Sequence, residues 1–150
     1  MGNPNAGIQN VKKSGYVEET MFHRRLDASR TLNKRFNEYF PQKQVRAYSD
    51  LYDGAIDLMK SEDLKSFDLT LEKDELRDKY GRNNFGQGCL LARRLVENNV
   101  RFVEVSLGGW DMHNDVFGSL ENKAAELDQG LSALLEDLNL RGLLGETMVV

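Results

Sequence analysis

The chain has 150 residues, of which 40% are hydrophobic and 29% charged, and these values are typical of one globular domain. Its net charge of −4 argues against nucleic acid as a partner, because phosphate binding needs clustered cations. The single cysteine, Cys89, excludes an internal disulfide, and no apolar run reaches the roughly 18 residues that a membrane span needs.

The first part of the chain carries helical patterns. Residues 1–17 are rich in Gly and Asn and predict a loosely ordered lead-in. Apolar spacing then predicts a helix over 18–40, which Pro41 ends, and a second helix over 42–60. The short connection predicts an antiparallel helical hairpin. The spacing predicts core-facing side chains at Phe22, Leu26, Leu32, Phe36 and Phe40 in the first helix and at Val45, Tyr48, Leu51, Tyr52, Ala55, Leu58 and Met59 in the second.

Shorter helices follow, up to residue 98. We expect a helical turn within 61–68, a helix that ends at Gly81, and a helix over 85–98 in which Cys89 is a small core residue rather than a nucleophile. Two interpretations apply to the Gly-rich stretch 80–88: its amides receive an anion, or it connects two helices. It has no Walker lysine and follows no strand, which favours the connection.

The pattern changes at residue 100. Residues 100–107 alternate apolar and polar side chains over much of their length, which predicts a strand, and a helix over 120–141 and a second apolar segment at 147–150 follow. Together they predict one βαβ unit of a parallel sheet. The predicted fold class is α/β and predominantly helical, with helices over 18–98 and the βαβ unit over 100–150. A two-stranded parallel sheet leaves its faces uncovered, so we expect a chain truncated at both ends, and its naked strand edge favours self-association.

The loop after the first predicted strand is the candidate functional site. Ligands of open α/β sheets bind beyond the carboxyl ends of the strands, which is where this loop lies. Asp111 and His113 are the candidate metal ligands, and oxygen and imidazole donors together suit zinc, manganese or iron better than calcium. The residues expected to line the site are Gly108, Gly109, Trp110 and Asn114.

Structural roles also explain these residues. Asp111, Asn114 or Asp115 can cap the following helix, Trp110 can cover the end of the sheet, and His113 can hydrogen-bond a backbone carbonyl. The spacing alone favours these roles, because two ligands do not make a metal site. The sequence has no Gly-x-Ser-x-Gly, Cys-x-x-Cys or His-Glu-x-x-His pattern, so no catalytic residue is assigned.

Several sequence blocks, in this order, resemble the bacterial family called domain of unknown function 1501. The resemblance spans about 22–150, and its blocks include Phe67-Asp68-Leu69, Tyr80-Gly81-Arg82, Phe85-Gly86-Gln87, the run 89–97, Gly108-Gly109-Trp110-Asp111 with His113, and the run 127–147. That family is similar to alkaline phosphatases and sulfatases. The resemblance therefore implies that 18–150 is part of a single alkaline-phosphatase-like domain. It also implies a metal-dependent hydrolase that acts on small phosphate or sulfate esters.

The resemblance also implies where the rest of such a site would lie. Asp111 and His113 would form one ligand set, whereas the nucleophile and further ligands would precede residue 1 or follow Val150. Met112 departs from the family, which usually has Thr there. We expect the chain to be an inactive internal fragment in which zinc or manganese is not tightly bound. Many members of the family carry export signals, so the resemblance implies that the intact protein is exported to the periplasm. The alternative is a non-catalytic binding or structural module that retains the fold without the chemistry.

Overall fold

The computed structural model describes residues 3–8, 11 and 14–150, and the chain forms two compact units. The hairpin unit spans Ile8–Leu64. The main unit combines Met1–Gly7 with Lys65–Val150. Of the predicted lead-in over 1–17, residues 1–2, 9–10 and 12–13 lie outside the described residues.

The hairpin unit consists of helices α1 (Glu19–Tyr39) and α2 (Lys43–Lys60). The chain turns between them at Pro41, whose ring cannot continue a helix. Nε of Arg30 lies 3.1 Å from Oδ1 of Asp53, so the middle of α1 contacts the later half of α2. The predicted antiparallel hairpin is confirmed.

The predicted core face of this hairpin is only partly correct. Leu26 and Ile56 are the buried residues of α1 and α2, with 4% and 6% of their surface exposed. Ile56 was not among the residues predicted to face the core. Six large side chains of the predicted faces are at least 48% exposed: Leu32, Phe36, Phe40, Tyr48, Leu51 and Leu58. The apolar arc of α2 is wider than its contact with α1, so spacing alone did not show which part of the arc is buried.

The main unit is helical too. Its core is a cluster of buried side chains formed by Leu69, Tyr80, Phe85, Cys89, Leu90 and Ala133. The α-helices are α3 (Asp74–Tyr80), α4 (Asn84–Glu97) and α5 (Val116–Leu140), and the 3₁₀ helices are Pro4–Ala6, Glu62–Phe67 and Leu69–Leu71. The first of these 3₁₀ helices belongs to the main unit, and the second lies where the hairpin unit ends.

The packing of α4 against α5 depends on glycines at the contact. A Cβ at Gly130 of α5 would lie 2.9 Å from the ring of Phe85, and one at Gly88 would lie 3.0 Å from Val105. Small residues therefore let the two helices and the segment after α4 approach closely. Cys89 is 2% exposed, and the prediction of a core thiol is confirmed.

The predicted α/β class and its βαβ unit are wrong, because no strand forms among the described residues. Residues 100–107 form no regular secondary structure and no hydrogen-bonded ladder with 147–150. Val105 and Leu107 pack against the core, while Phe102 is 82% exposed. An extended chain lying on helices buries alternate side chains just as a strand does, so period-two alternation cannot distinguish the two.

No described helix is both long and apolar enough to cross a membrane, in agreement with the prediction of no membrane span.

Candidate functional site

The candidate site lies in the segment that connects α4 to α5. Backbone N–H of Val100 donates to the carbonyl of Leu95 at 3.0 Å and closes the end of α4. The segment then turns at Gly109, whose φ of +85° is a conformation that favours glycine. Indole Nε1 of Trp110 donates to the carbonyl of Leu107 at 2.8 Å and closes this turn. Trp110 therefore stabilises its own loop. It does not cover the end of a sheet, since the described residues contain none.

Asp111 and His113 do come together. Oδ1 of Asp111 lies 3.2 Å from Nε2 of His113, and the side chains reach past the half-buried Met112 between them. The two side chains are 88% and 80% exposed. The contact is therefore local and solvated, and the rest of the fold does little to hold it.

The neighbouring residues do not extend this pair. Asp115 is the residue before α5 and has a left-handed φ of +45°, but its side chain makes no capping hydrogen bond. Its carboxylate lies instead against Gly118, where a Cβ would meet Oδ2 at 2.6 Å. Asn114 is exposed, and a Cβ at Gly108 would meet nothing within 4 Å.

The electrostatic surroundings of the loop include a cation. The ammonium of Lys123 on α5 would lie 3.8 Å from a Cβ at Gly109, and it pairs with Glu126 at 3.0 Å. Within the part of the chain that the structure describes, no group of three or more His, Cys, Asp or Glu side chains is arranged to hold a metal ion. Asp111 and His113 are therefore a pair of donors and not a complete site.

The Gly-rich stretch 80–88 connects α3 to α4, as the favoured interpretation predicted. Gly81 ends α3 with a φ of +90°, and Oδ1 of Asn83 accepts from the N–H of Gly86 at 2.7 Å. A Cβ at Gly86 would lie 1.9 Å from the carbonyl oxygen of Tyr80. The glycines therefore serve close packing, and the Asn83 side chain already occupies one amide that an anion would use.

The prediction missed a group of charges around the buried Arg93 in the main unit, here called the charge cluster, which is formed by Arg93, Glu72, Glu97, Asp137 and Arg141. Arg93 is only 1% exposed, although its guanidinium carries a full charge. Its Nη1 donates to Glu97 at 2.6 Å, and its Nη2 and Nε lie 2.9 Å from Glu72 and 3.0 Å from Asp137 as ion pairs without hydrogen-bond geometry. Arg141 contacts both Glu97 and Asp137. Such surroundings offset the cost of burying Arg93.

The charge cluster also changes the titration of Glu72. Burial on its own raises the pKa of this carboxyl, but a hydrogen bond from Arg94 and the charge of Arg93 outweigh it. The pKa of Glu72 therefore lies below its ordinary value. Each acid in the cluster faces an arginine, so its role is to join helices rather than to bind a ligand.

A second polar side chain that the prediction missed is Gln87. It is completely buried, and its Nε2 donates to the carbonyls of Arg77 and Gly81 at 3.0 and 2.8 Å. Its Oε1 accepts from Nε of Arg77 at 3.0 Å. The sequence indicates the burial of Gln87 and Arg93, because both side chains stand on the apolar side of α4.

A family model with the description "Protein of unknown function (DUF1501)" matches residues 1–150. No curated protein and no solved structure matches the chain.

Proposed function

The chain belongs to the DUF1501 family of proteins of unknown function, and from this premise we propose that its 107–115 loop supplies part of a divalent-metal site. The site would serve the hydrolysis of phosphate or sulfate esters. The resemblance of the family to alkaline phosphatases and sulfatases suggests this reaction class. Asp111 and His113 are the ligands that this chain would provide.

The distance between the two donor atoms carries the proposal. Zinc binds imidazole nitrogen and carboxylate oxygen at about 2.0–2.2 Å, so two ligands of one ion lie about 2.8–3.6 Å apart for angles between 90° and 109°. The 3.2 Å between Oδ1 of Asp111 and Nε2 of His113 falls within that range. The same side chains are accessible to an ion from solution, with 88% and 80% of their surfaces exposed.

The chemistry follows from the donor types. When bound, a divalent cation polarises an ester oxygen and stabilises the charge that develops on it. His113 must be neutral to donate its lone pair, and Asp111 must be ionised. The exposed pair has little rigid support, and two protein ligands leave an ion mostly hydrated. We therefore expect affinity in the micromolar range or weaker, and no turnover by this chain.

Metal binding is the first test. Calorimetric titration of the full chain with zinc and with manganese should give weak binding that both Asp111→Ala and His113→Ala abolish. His23→Ala tests whether this distance alone is enough, because His23 also lies 3.2 Å from a carboxylate, that of Glu19 on α1, and an equal loss of binding in this variant would contradict the assignment to the loop. Identical titrations of the parent protein and His113→Ala would contradict the proposal.

Turnover is the second test. The chain should not hydrolyse p-nitrophenyl phosphate or p-nitrophenyl sulfate in the presence of either metal. Hydrolysis that Asp111→Ala abolishes would contradict the statement that the chain holds only part of the site. Absence of both metal binding and hydrolysis would overturn the proposal in favour of the alternative, a non-catalytic binding or structural module.

A further inference from the structure

The main unit is interrupted in sequence by the hairpin unit. Met1–Gly7 and Lys65–Val150 form one compact unit, although the whole hairpin unit stands between them in the chain. The core cluster and the partly buried apolar side chains packed against it all come from residues 69–134. The main unit therefore builds this core from its own residues.

The N-terminal segment is bound to α3 and α4. Its 3₁₀ helix, Pro4–Ala6, lies against α4. Oδ1 of Asn5 accepts a 2.7 Å hydrogen bond from Nη2 of Arg77, whose Nε donates at 3.0 Å to Oε1 of Gln87. A planar guanidinium that has two partners is fixed in orientation, and Gln87 is completely buried. Gln87 therefore directs Arg77 towards Asn5, and this contact holds the segment that leads into the hairpin unit.

The chain that returns from the hairpin unit is bound to α4 as well. Nε of Arg94 donates to the carbonyl of Ser66 at 2.8 Å, and its Nη2 donates to the carbonyl of Lys65 at 2.5 Å. Its Nη1 contacts the carboxylate of Glu72, and Ser66 is only 4% exposed. Arg94 therefore fixes the residues that directly follow the hairpin unit.

The two bound segments lie side by side. A Cβ at Gly7 would lie 3.7 Å from the carbonyl oxygen of Phe67, and Gly7 has a φ of +61°, which favours glycine. Gly7 is the last residue before the hairpin unit, and Phe67 lies just after it. The chain therefore leaves the main unit and re-enters it at neighbouring points. One folded unit can be inserted into another where the two chain ends are close in this way.

We infer that the hairpin unit is an insert which the main unit carries on a closed neck, and that the hairpin unfolds without opening the core of the main unit. The neck consists of Asn5, Gly7, Phe67, Arg77 and Arg94. Each of its contacts joins two parts of the main unit, so unfolding of the hairpin breaks no contact of the neck or of the core cluster. The inference is independent of the proposed metal site, which lies in the 107–115 loop.

Hydrogen exchange of the full chain, measured by mass spectrometry, tests the inference. Ile56→Ala truncates the buried apolar side chain of α2 and should speed exchange in α1 and α2 by about tenfold or more. Exchange in α4 and α5 should change by less than about twofold. Leu90→Ala is the matched control, because it makes a truncation of the same size in the core of the main unit, and it should speed exchange in α4 and α5.

Two results would overturn the inference. If Ile56→Ala speeds exchange in α4 and α5 as much as in α1 and α2, the two units open together. If it leaves exchange in α1 and α2 unchanged, the hairpin has no opening of its own that depends on Ile56.

Asn5→Ala tests the neck. The variant removes the acceptor of Arg77, so amides of residues 3–7 should exchange about fivefold faster, while those of α4 stay unchanged. Asn122→Ala is the matched control, since Asn122 is an exposed asparagine whose side chain donates to the carbonyl of Gly118 within α5. Equal exchange of residues 3–7 in the parent protein and both variants would overturn the assignment of Asn5 to a closed neck.

Discussion

The hydroxyl of Tyr80, the last residue of α3, donates a 3.0 Å hydrogen bond to Oδ2 of Asp137 in α5. Tyr80 is completely buried, and Asp137 is 8% exposed. The same oxygen lies 3.0 Å from Nε of Arg93, and the other oxygen accepts from Arg141 at 2.7 Å. Burial, together with the nearby Asp137 charge, raises the pKa of Tyr80, so its hydroxyl stays protonated and remains a donor. Asp137 thus connects α3, α4 and the end of α5.

Removing that hydroxyl should destabilise the main unit. Tyr80→Phe keeps the ring in the core but deletes the donor to a buried carboxylate, and we expect a loss of about 1.5–3 kcal/mol. Urea unfolding followed by circular dichroism measures it. Tyr16→Phe, at a side chain that is 89% exposed, should change the free energy of unfolding by less than about 0.5 kcal/mol. Equal effects of the two variants would show that the hydroxyl contributes nothing.

Alanine substitution at two helical glycines should change the free energy of unfolding in opposite directions. A Cβ at Gly86 in α4 would lie 1.9 Å from the carbonyl oxygen of Tyr80 and 2.7 Å from that of Gly81, and backbone cannot yield as a side chain does. We expect Gly86→Ala to cost about 3 kcal/mol. A Cβ at Gly54 in α2 would meet nothing within 4 Å, so Gly54→Ala should stabilise its helix by about 0.5–1 kcal/mol. Thermal unfolding of both variants measures this difference, and a neutral Gly86→Ala would contradict the packing argument.

The helices were predictable from the sequence because their signals are local. Pro41 and Gly81 end helices through restrictions on their own backbones, and the predicted ends lie within a residue or two of those observed. The absence of a strand at 100–107 was not predictable in this way, because a strand needs a partner and pairing is a non-local property. Val105 and Leu107 pack on helices, which gives the sequence pattern of a half-buried strand without its hydrogen bonds.

The candidate site was predictable to a smaller extent. Asp111 and His113 are separated by one residue, so their proximity could be predicted from the sequence. Arg93 stands on the apolar side of α4, which indicates burial, although arginine is seldom fully buried. Its acidic neighbours Glu72 and Asp137 are distant in sequence and meet it only through the packing of α4 on α5 and on the turn before α3.

Acid should remove part of the stability that Glu72 contributes. The pKa of this carboxyl is lower in the folded chain than its ordinary value of 4.5, so its contribution is complete above that value and is lost as the pH falls through the folded pKa. We expect Glu72→Gln to be less stable than the parent protein near pH 7 by about 1–3 kcal/mol, and the difference to shrink below about pH 4.5. Urea unfolding across this pH range measures it. Glu75→Gln, on the exposed side of α3, is the control and should change the free energy of unfolding near pH 7 by less than about 0.5 kcal/mol.

The thiol of Cys89 should be unreactive until the main unit opens. Cys89 is 2% exposed, and burial raises the pKa of its thiol to about 11, so little thiolate forms near neutral pH. We expect no reaction of the native protein with Ellman's reagent at pH 8 on the timescale of minutes, and one equivalent of thiol in guanidinium chloride. Phe117→Cys places a second thiol at a site that is 88% exposed and should react at once. Because Cys89 belongs to the same core cluster as Tyr80, Tyr80→Phe should accelerate its slow native-state reaction by lowering the free energy of opening. A native Cys89 that reacts as fast as the thiol of Phe117→Cys would contradict its place in the core.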